Sequence, residues 1–435
     1  LSQSGYGSDD LAAMLVTSQY LQRLALRYGE DVGPCLNGQA ANQINVAKTH
    51  FITSMQSAGD EKAALRAIRI WRGRTALMVA LSDLAGREGM AQQMEWLSEA
   101  AQIVLSATIQ YLFRQTAQRG KIKSFDADLS GCGWTVLALG KLGAGELNFS
   151  SDIDLIILHD TQHAPFGNRD AVQPFFVAMR RDLIRLLSSA TSDGIGWRVD
   201  LRLRPDPGAT AVSIDLTAAI SYYESIARTW ERAAFIRARP VAGDLALGNS
   251  FLKQIQPFIW RKTLDYTVME DMKTMLRRPA QGNGWRGYNL KNGKNGIRQI
   301  EFFTHGLQLV AGGRDKELRQ RNSLAALDAL AAATWMTNEQ AAALGTAYHQ
   351  LRRIEHRLQM IADNQTHSLP RGEEDLKKFA HFMGHRTATD FCNRLDNLLD
   401  QVGTNAKHDL LNPADSAISP ADGIKDILLD DYDAL

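Results

Sequence analysis

From residue 140 to residue 154 the chain reads Gly-Lys-Leu-Gly-Ala-Gly-Glu-Leu-Asn-Phe-Ser-Ser-Asp-Ile-Asp. A glycine-rich turn, the pair Ser150-Ser151 and two carboxylates two residues apart follow one another. Alternate residues of a strand share a face, so Asp152 and Asp154 are expected to project together. Two carboxylates that close repel each other unless a cation lies between them. The pair is a natural clamp for a divalent ion, and its hard oxygen donors favour Mg2+ or Mn2+ over zinc. Gly140, Gly143 and Gly145 would let the backbone approach a phosphate chain closely, with Lys141, Ser150 and Ser151 alongside. Asp-x-Asp alone is weakly specific, and so is a glycine run. The two together, with a strand before and a strand after, are far more specific.

A third carboxylate is needed to complete such a site, and Asp200 is the candidate. In Trp197-Arg-Val-Asp-Leu-Arg-Leu-Arg204 it is in phase with Arg198, Arg202 and Arg204, while Val199, Leu201 and Leu203 face the other way. This pattern also suits a cross-strand ladder of ion pairs. Read with Asp152 and Asp154, Asp200 becomes the third metal ligand, and Arg202 and Arg204 become phosphate contacts. Glu231 and Arg232 are supporting candidates, as are Arg298 and Glu301, which fall three apart on an expected helix. For each of these a plain surface pair is the competing reading. Arg352-Arg-Ile-Glu-His-Arg357 and the arginines Arg66, Arg69, Arg72 and Arg74 read by default as solvated helix faces. His381 and His385 are four apart, but no Glu follows the first, so they do not form a zinc-protease motif.

The elements that must position these residues are legible in outline. Residues 9–118 read as helices, with Leu65, Ile68, Trp71 and Leu77 at helical spacing. Trp134–Leu139 is a short apolar run that reads as a buried strand, Asp152–Leu158 is a second strand, and Trp197–Arg204 is a third, stopped by Pro205. A periodic helix at about residues 172–189 lies between the second and third strands. Leu344, Leu351, Ile354, Leu358 and Ile361 step by 7, 3, 4 and 3, the seam of a packed bundle helix. The expected organisation is an N-terminal helical region over 1–130, a small α/β domain over 131–245, a helical bundle over 246–413, and a linker or tail over 414–435. The fold class is therefore α+β and mostly helical.

Composition narrows the function. The 435 residues are 45% hydrophobic and 22% charged, as in ordinary globular chains of about three domains. Lys and Arg number 49 against 48 Asp and Glu, so the surplus that a sequence-independent nucleic-acid binder needs is missing. Cys35, Cys132 and Cys392 are too few and too scattered for a disulfide framework or a zinc knuckle, which suits a reducing compartment. No apolar run approaches the roughly 18 residues of a membrane span, and no signal peptide is visible. The expected location is the cytoplasm, with neither nucleic acid nor membrane as a partner.

The glycine turn, the Ser-Asp-x-Asp pair and the third Asp resemble the nucleotidyltransferase fold of the DNA polymerase β superfamily. More narrowly, Gly140–Leu155 and Trp197–Pro205 are similar to the glutamine synthetase adenylyltransferases. So are Trp230-Glu-Arg232, Gly296-Ile-Arg-Gln-Ile-Glu-Phe302 and Leu351-Arg-Arg-Ile-Glu-His-Arg-Leu-Gln359. Members of that family are bifunctional, with two homologous halves. One attaches AMP to a tyrosine of glutamine synthetase; the other removes it by phosphorolysis, releasing ADP. This chain has one copy of the site and so resembles one half. Asn148-Phe-Ser-Ser-Asp-Ile-Asp is similar to the deadenylylating, N-terminal half. The transferring half more usually has a Gly-Tyr pair before its Ser-Asp-Leu-Asp, and Thr-Asp-Ile-Glu where this chain has Arg298-Gln-Ile-Glu301. Gln299 replaces the Glu usual in that motif.

The resemblance implies two Mg2+ ions held by Asp152, Asp154 and Asp200. The implied partners are adenylylated glutamine synthetase, nucleotide (ADP or ATP), phosphate and a PII-type nitrogen signal protein. Two rivals remain open at this point: adenylyl transfer from ATP, and a catalytically silent half that only senses a regulator.

Overall fold

The computed structural model describes residues 15–120, 122, 129–162, 172–205, 213–262 and 285–407. Its N-terminal region includes the helices α1 (Gln19–Arg27), α2 (Gly29–Leu36), α3 (Ala40–Ser57), α4 (Glu61–Leu84) and α5 (Met90–Gln118). Asp60 caps α4 by accepting the Ala63 N–H, and α4 and α5 bury Trp71, Leu77, Leu81, Leu97, Val104 and Leu105. Three of the four arginines on α4 depart from the expected solvated face. Arg66 is exposed, but Arg69 donates to the Leu186 and Ser189 carbonyls, Arg72 to the Phe149 carbonyl, and Arg74 forks Asp31. They fasten α4 to its neighbours instead of facing water.

The sheet region follows in chain order as β1 (Trp134–Ala138), α6 (Gly140–Ala144), β2 (Ile153–His159), α7 (Val172–Ser188), β3 (Val199–Asp200), β4 (Ser213–Asp215), α8 (Leu216–Ser225), α9 (Thr229–Ile236), β5 (Arg239–Gly243), α10 (Leu245–Gln254) and α11 (Gln256–Ile259). The sheet order is β3-β2-β1-β5, with β4 also on β2. β1 runs antiparallel to β2 and β5, whereas β3 and β4 run parallel to β2. Every residue of β1 and β2 is buried, which is why both read as continuous apolar runs. Val136, Leu155 and Ile157 face the core shared with α4, α5 and α7, while Leu137, Ile156 and Leu158 face a second core with Tyr223, Phe235 and Phe251.

The expected third strand is far shorter than its alternation suggested. Only Val199 and Asp200 join the ladder. Beyond them the Asp200 side chain accepts the Arg202 N–H at 2.8 Å and closes a turn. This local bond competes with strand pairing.

The remaining helices are α12 (Ile297–Ala311), α13 (Ser323–Ala332), α14 (Asn338–Met360), α15 (Glu373–Phe382) and α16 (Ala388–Asn405). The fold is α+β and mostly helical. On α14, Leu344, Leu351, Ile354 and Leu358 are buried. So are Arg352, Glu355, His356 and Arg357, each at 0% exposure, which overturns their reading as a solvated face. The three cysteines are buried and free. No described helix is long and apolar enough to cross a membrane. The expected linker over 414–435 lies outside the described residues.

Candidate active site

β1 ends at the turn that holds α6, and β2 returns from it. The Leu139 N–H donates to the Asp154 carbonyl at 2.9 Å, which locks the turn against the start of β2. Gly140 has φ +49°, and a Cβ there would lie 2.3 Å from Asp154 Oδ2. Any side chain at position 140 would drive the carboxylate out of place. Packing requires Gly143: a Cβ would lie 2.2 Å from the Arg237 carbonyl oxygen. Gly145 closes α6 as its left-handed cap.

The parallel register sets Asp154 of β2 beside Asp200 of β3, and Asp152 lies just ahead of β2. Asp154 is buried and its Oδ1 has no hydrogen-bond partner among the described residues. Burial first, then Asp152 and Asp200, push its carboxyl well above the usual range, against the opposing pull of Lys291 and Lys141. Asp152 accepts a hydrogen bond from Gln365 at 2.8 Å. Asp200 is forked by the Arg202 guanidinium, with Nη2 at 2.6 Å and Nε at 2.9 Å from Oδ2.

Among the described residues, no three His, Cys, Asp or Glu side chains are drawn into a ready-made metal cage. Gln365 and Arg202 occupy the outer two carboxylates. The donor set nonetheless suits a hard divalent cation. It offers carboxylate oxygens only, and one of them is buried, unpartnered and repelled by its neighbours.

The arginines expected around Asp200 diverge. Arg202 engages it, but Arg204 donates to the Leu201 carbonyl, and Arg198 donates to the carbonyl and hydroxyl of Ser150. Ser150 is a junction: its N–H donates to Gln359 and its hydroxyl to the Asp363 carbonyl, both at 2.8 Å. Ser151 precedes Asp152 and is half-buried. Glu231 and Arg232 are buried, so a surface pair is excluded for them. Glu231 caps α9 by accepting the Arg228 N–H and the Tyr222 hydroxyl, and Arg232 donates to the Ile259 carbonyl. Arg298 and Glu301 are buried as well. Arg298 donates to Asn292 and lies over the Phe302 ring, whereas Glu301 pairs with Arg237 at 3.1 Å. Arg298 and Glu301, with His305, line a small cavity beside Gly140.

The network behind the carboxylates has no signature in the local sequence. Glu146 accepts from the Ser323 N–H and hydroxyl and from the Tyr348 hydroxyl. Arg352 donates to Asn148, Asn148 donates to Glu355, and Glu355 also meets His367 at 2.5 Å and Lys141 at 3.6 Å. Burial pushes the Glu301 carboxyl up, but Arg237, Lys141 and Arg352 together hold it down at about 2. Lys141 and His367, with Arg352, likewise outweigh burial at Glu355 and hold it well below the usual range.

Lys291 was not expected at the site. It lies in the loop that enters α12, and its ammonium is lowered to about 8 by burial, Lys141 and Arg298, against Glu301 and Glu355. The run Lys291-Asn-Gly-Lys-Asn-Gly296 ahead of a helix was the available signal.

Residues 8–254 match the family model described as glutamate-ammonia ligase adenylyltransferase. The chain belongs to that family. Glutamate-ammonia ligase is another name for glutamine synthetase, so the match and the motif resemblance agree. Residues 269–408 match a second model, described as GlnD PII-uridylyltransferase. A protein of Xanthobacter autotrophicus named bifunctional glutamine synthetase adenylyltransferase/adenylyl-removing enzyme is 44% identical over 84% of this chain and 38% of its own length. Proteins of the same name from Bradyrhizobium diazoefficiens and Rhodopseudomonas palustris are 45% identical over 80% of this chain and 42% identical over 87% of it. The adenylyltransferase-family chain spans about two fifths of the length of these curated relatives, at 38%, 36% and 40%.

Proposed function

We propose that this chain is the adenylyl-removing half of a glutamine synthetase-regulating enzyme, and that it phosphorolyses adenylyl-tyrosine. The observation that carries the reading is the buried, unpartnered Asp154 carboxyl beside Asp152 and Asp200, with Lys141 and Lys291 close enough to act on its charge. Strongly perturbed acids of this kind collect at catalytic sites.

Asp152, Asp154 and Asp200 would hold Mg2+ or Mn2+, which when bound neutralises charge on the attacking and leaving oxygens. Gly140 keeps the backbone tight against Asp154, and Gln365 keeps Asp152 aimed. A phosphate oxygen attacks the α-phosphorus in line, the new P–O bond gives ADP, and the P–O bond to tyrosine breaks. The tyrosinate then takes a proton from water. Its pKa of about 10 makes it a good leaving group, and phosphate is already an anion, so no strong base is required. The wording Asn148-Phe-Ser-Ser-Asp-Ile-Asp supports removal over transfer.

On this reading the protein partners are adenylylated glutamine synthetase and a PII-type signal protein, in the cytoplasm. The test is incubation with adenylylated glutamine synthetase, Mg2+ and phosphate. ADP and unmodified protein are expected. ATP-dependent labelling of unmodified glutamine synthetase without ADP release from the adenylylated form would identify the transferring half. Neither reaction would identify a silent half.

A further inference from the structure

We propose that Lys291, with Lys141 beside it, is the binding site for the phosphate oxyanion that attacks the adenylyl group. This rests on the phosphorolytic reading above. It moves the phosphate contact from Arg202 and Arg204 to the lysines that act on Asp154.

Lys291 sits in a tight loop. Asn289 Oδ1 accepts its N–H, its carbonyl accepts the Arg298 N–H, and Leu290 is tied to the His367 carbonyl. The loop therefore delivers the side chain from a fixed backbone. The side chain is half-buried, and its ammonium makes no hydrogen bond or ion pair among the described residues. Its surroundings do not compensate it. Lys141 and Arg298 are near enough to oppose its charge. Of the carboxylates in reach, Glu301 is engaged by Arg237 and Glu355 by His367, Asn148 and, more loosely, Lys141, while Asp154 belongs to the proposed metal-binding set. A half-buried ammonium beside two further cations is costly to a fold unless an anion completes it. The same ammonium acts on Asp154, so an anion held there lies next to the carboxylate set.

Arg202 and Arg204 lack this character. Arg202 is committed to Asp200, and Arg204 bonds the Leu201 carbonyl.

Free phosphate and the terminal phosphate of a nucleotide share this chemistry; free phosphate is the ligand assigned here. The experiment is calorimetric titration of the full chain, in Mg2+, with inorganic phosphate, AMP and ADP in separate arms. Lys291→Met and Lys141→Met are each expected to weaken inorganic phosphate about tenfold, and Lys291→Arg less than about threefold. ADP should weaken in parallel, since its β-phosphate is the attacking phosphate, and AMP should not. The melting temperature of Lys291→Met should equal or exceed the parent's, because it removes a repelling cation, whereas Lys141→Met should melt lower, because it strips a compensating charge from Glu355 and Glu301. In turnover assays the KM for phosphate should rise while that for adenylylated glutamine synthetase stays constant. Unchanged phosphate affinity in folded Lys291→Met overturns the assignment. So does ADP weakening without phosphate weakening, and so does a parent chain that binds no phosphate. A parent that binds phosphate through Lys291 yet releases no ADP from adenylylated glutamine synthetase keeps the site and defeats the phosphorolytic reading.

Discussion

Two acidic regions lie on either side of the Gly140–Ala144 turn, and they solve burial in opposite ways. Behind it, Glu146, Glu301 and Glu355 are fully engaged by Ser323, Tyr348, Arg237, Asn148 and His367. Glu301 and Glu355 are held as ionised carboxylates far below their ordinary range. In front of it, Asp154 is equally buried, keeps an unpartnered oxygen, and is pushed upward by Asp152 and Asp200. A satisfied buried network positions elements and resists change. An unsatisfied one signals that a group from outside completes it. The rear region is therefore the scaffold, and the front region does the chemistry.

The sharpest way to break this contrast is to neutralise one residue in each region. Asp154→Asn should reduce ADP release at least about a thousandfold, roughly 4 kcal/mol of barrier. Its metal-free melting temperature should stay level or rise, because a repelling buried charge is gone. An Asp154→Asn protein with normal turnover would refute the carboxylate site. Arg352→Met should do the reverse. Arg352 is fully buried and bonds Asn148, Tyr348 and the Glu146 carbonyl, so its loss leaves buried acceptors and Glu355 undercompensated. About 3–5 kcal/mol of stability should be lost by denaturant titration. The part that remains folded should keep its metal requirement.

Acid separates the regions by sign. Glu301 has an ordinary value of 4.5 and a folded value of about 2. Its stabilising share is therefore complete above pH 4.5 and disappears as pH falls through about 2. Asp154 is raised, so its share is present below its ordinary value of 3.8 and is lost as pH rises through the folded value. Glu301→Gln should thus cost on the order of 3 kcal/mol near neutrality, at about 1.4 kcal/mol per unit, with the deficit closing toward pH 2. Melting curves of parent and variant across pH check this. A deficit that is flat with pH would mean that Glu301 acts by shape and not by charge.

The parts of the molecule legible in its sequence are those whose cause is local. The apolar runs of β1 and β2 read as buried strands because both faces of each are buried. The spacing of Asp152 and Asp154 required only the alternation of a strand. Asp200 required one further pairing, and the parallel register supplies it. What failed was the equation of charge with solvent. Arg352 meets Asn148, a residue 204 positions away, and Arg72 meets Asp363 across 291 positions. No periodicity records partners that distant, so a stripe of arginines reads as a wet face whether or not it is one. Lys291 escaped notice for the same reason, since the neighbours that define it, Lys141 and Glu355, lie far away in sequence. The arginines of 198–204 failed differently. Strict alternation predicted one shared face, but Asp200 captured the N–H two residues on and ended the strand.

That capture leads to the mildest of the expected effects. Arg202 holds Asp200 through both Nε and Nη2, yet its side chain is 55% exposed, so water screens much of the attraction. Its guanidinium occupies the oxygens that a divalent cation would take, and the two compete for one carboxylate. Arg202→Ala should therefore lower the Mg2+ concentration for half-maximal turnover by about threefold, a shift typical of an exposed pair. The KM for phosphate should hardly change, in contrast to Lys291→Met. A large rise in that KM for Arg202→Ala, with no change in Mg2+ demand, would show that Arg202 leaves Asp200 to hold phosphate. The phosphate contact would then lie on the β3 side of the carboxylates and not beside Lys291. Mg2+ and phosphate titrations run on the two variants together thus decide whether Arg202 or Lys291 receives the anion.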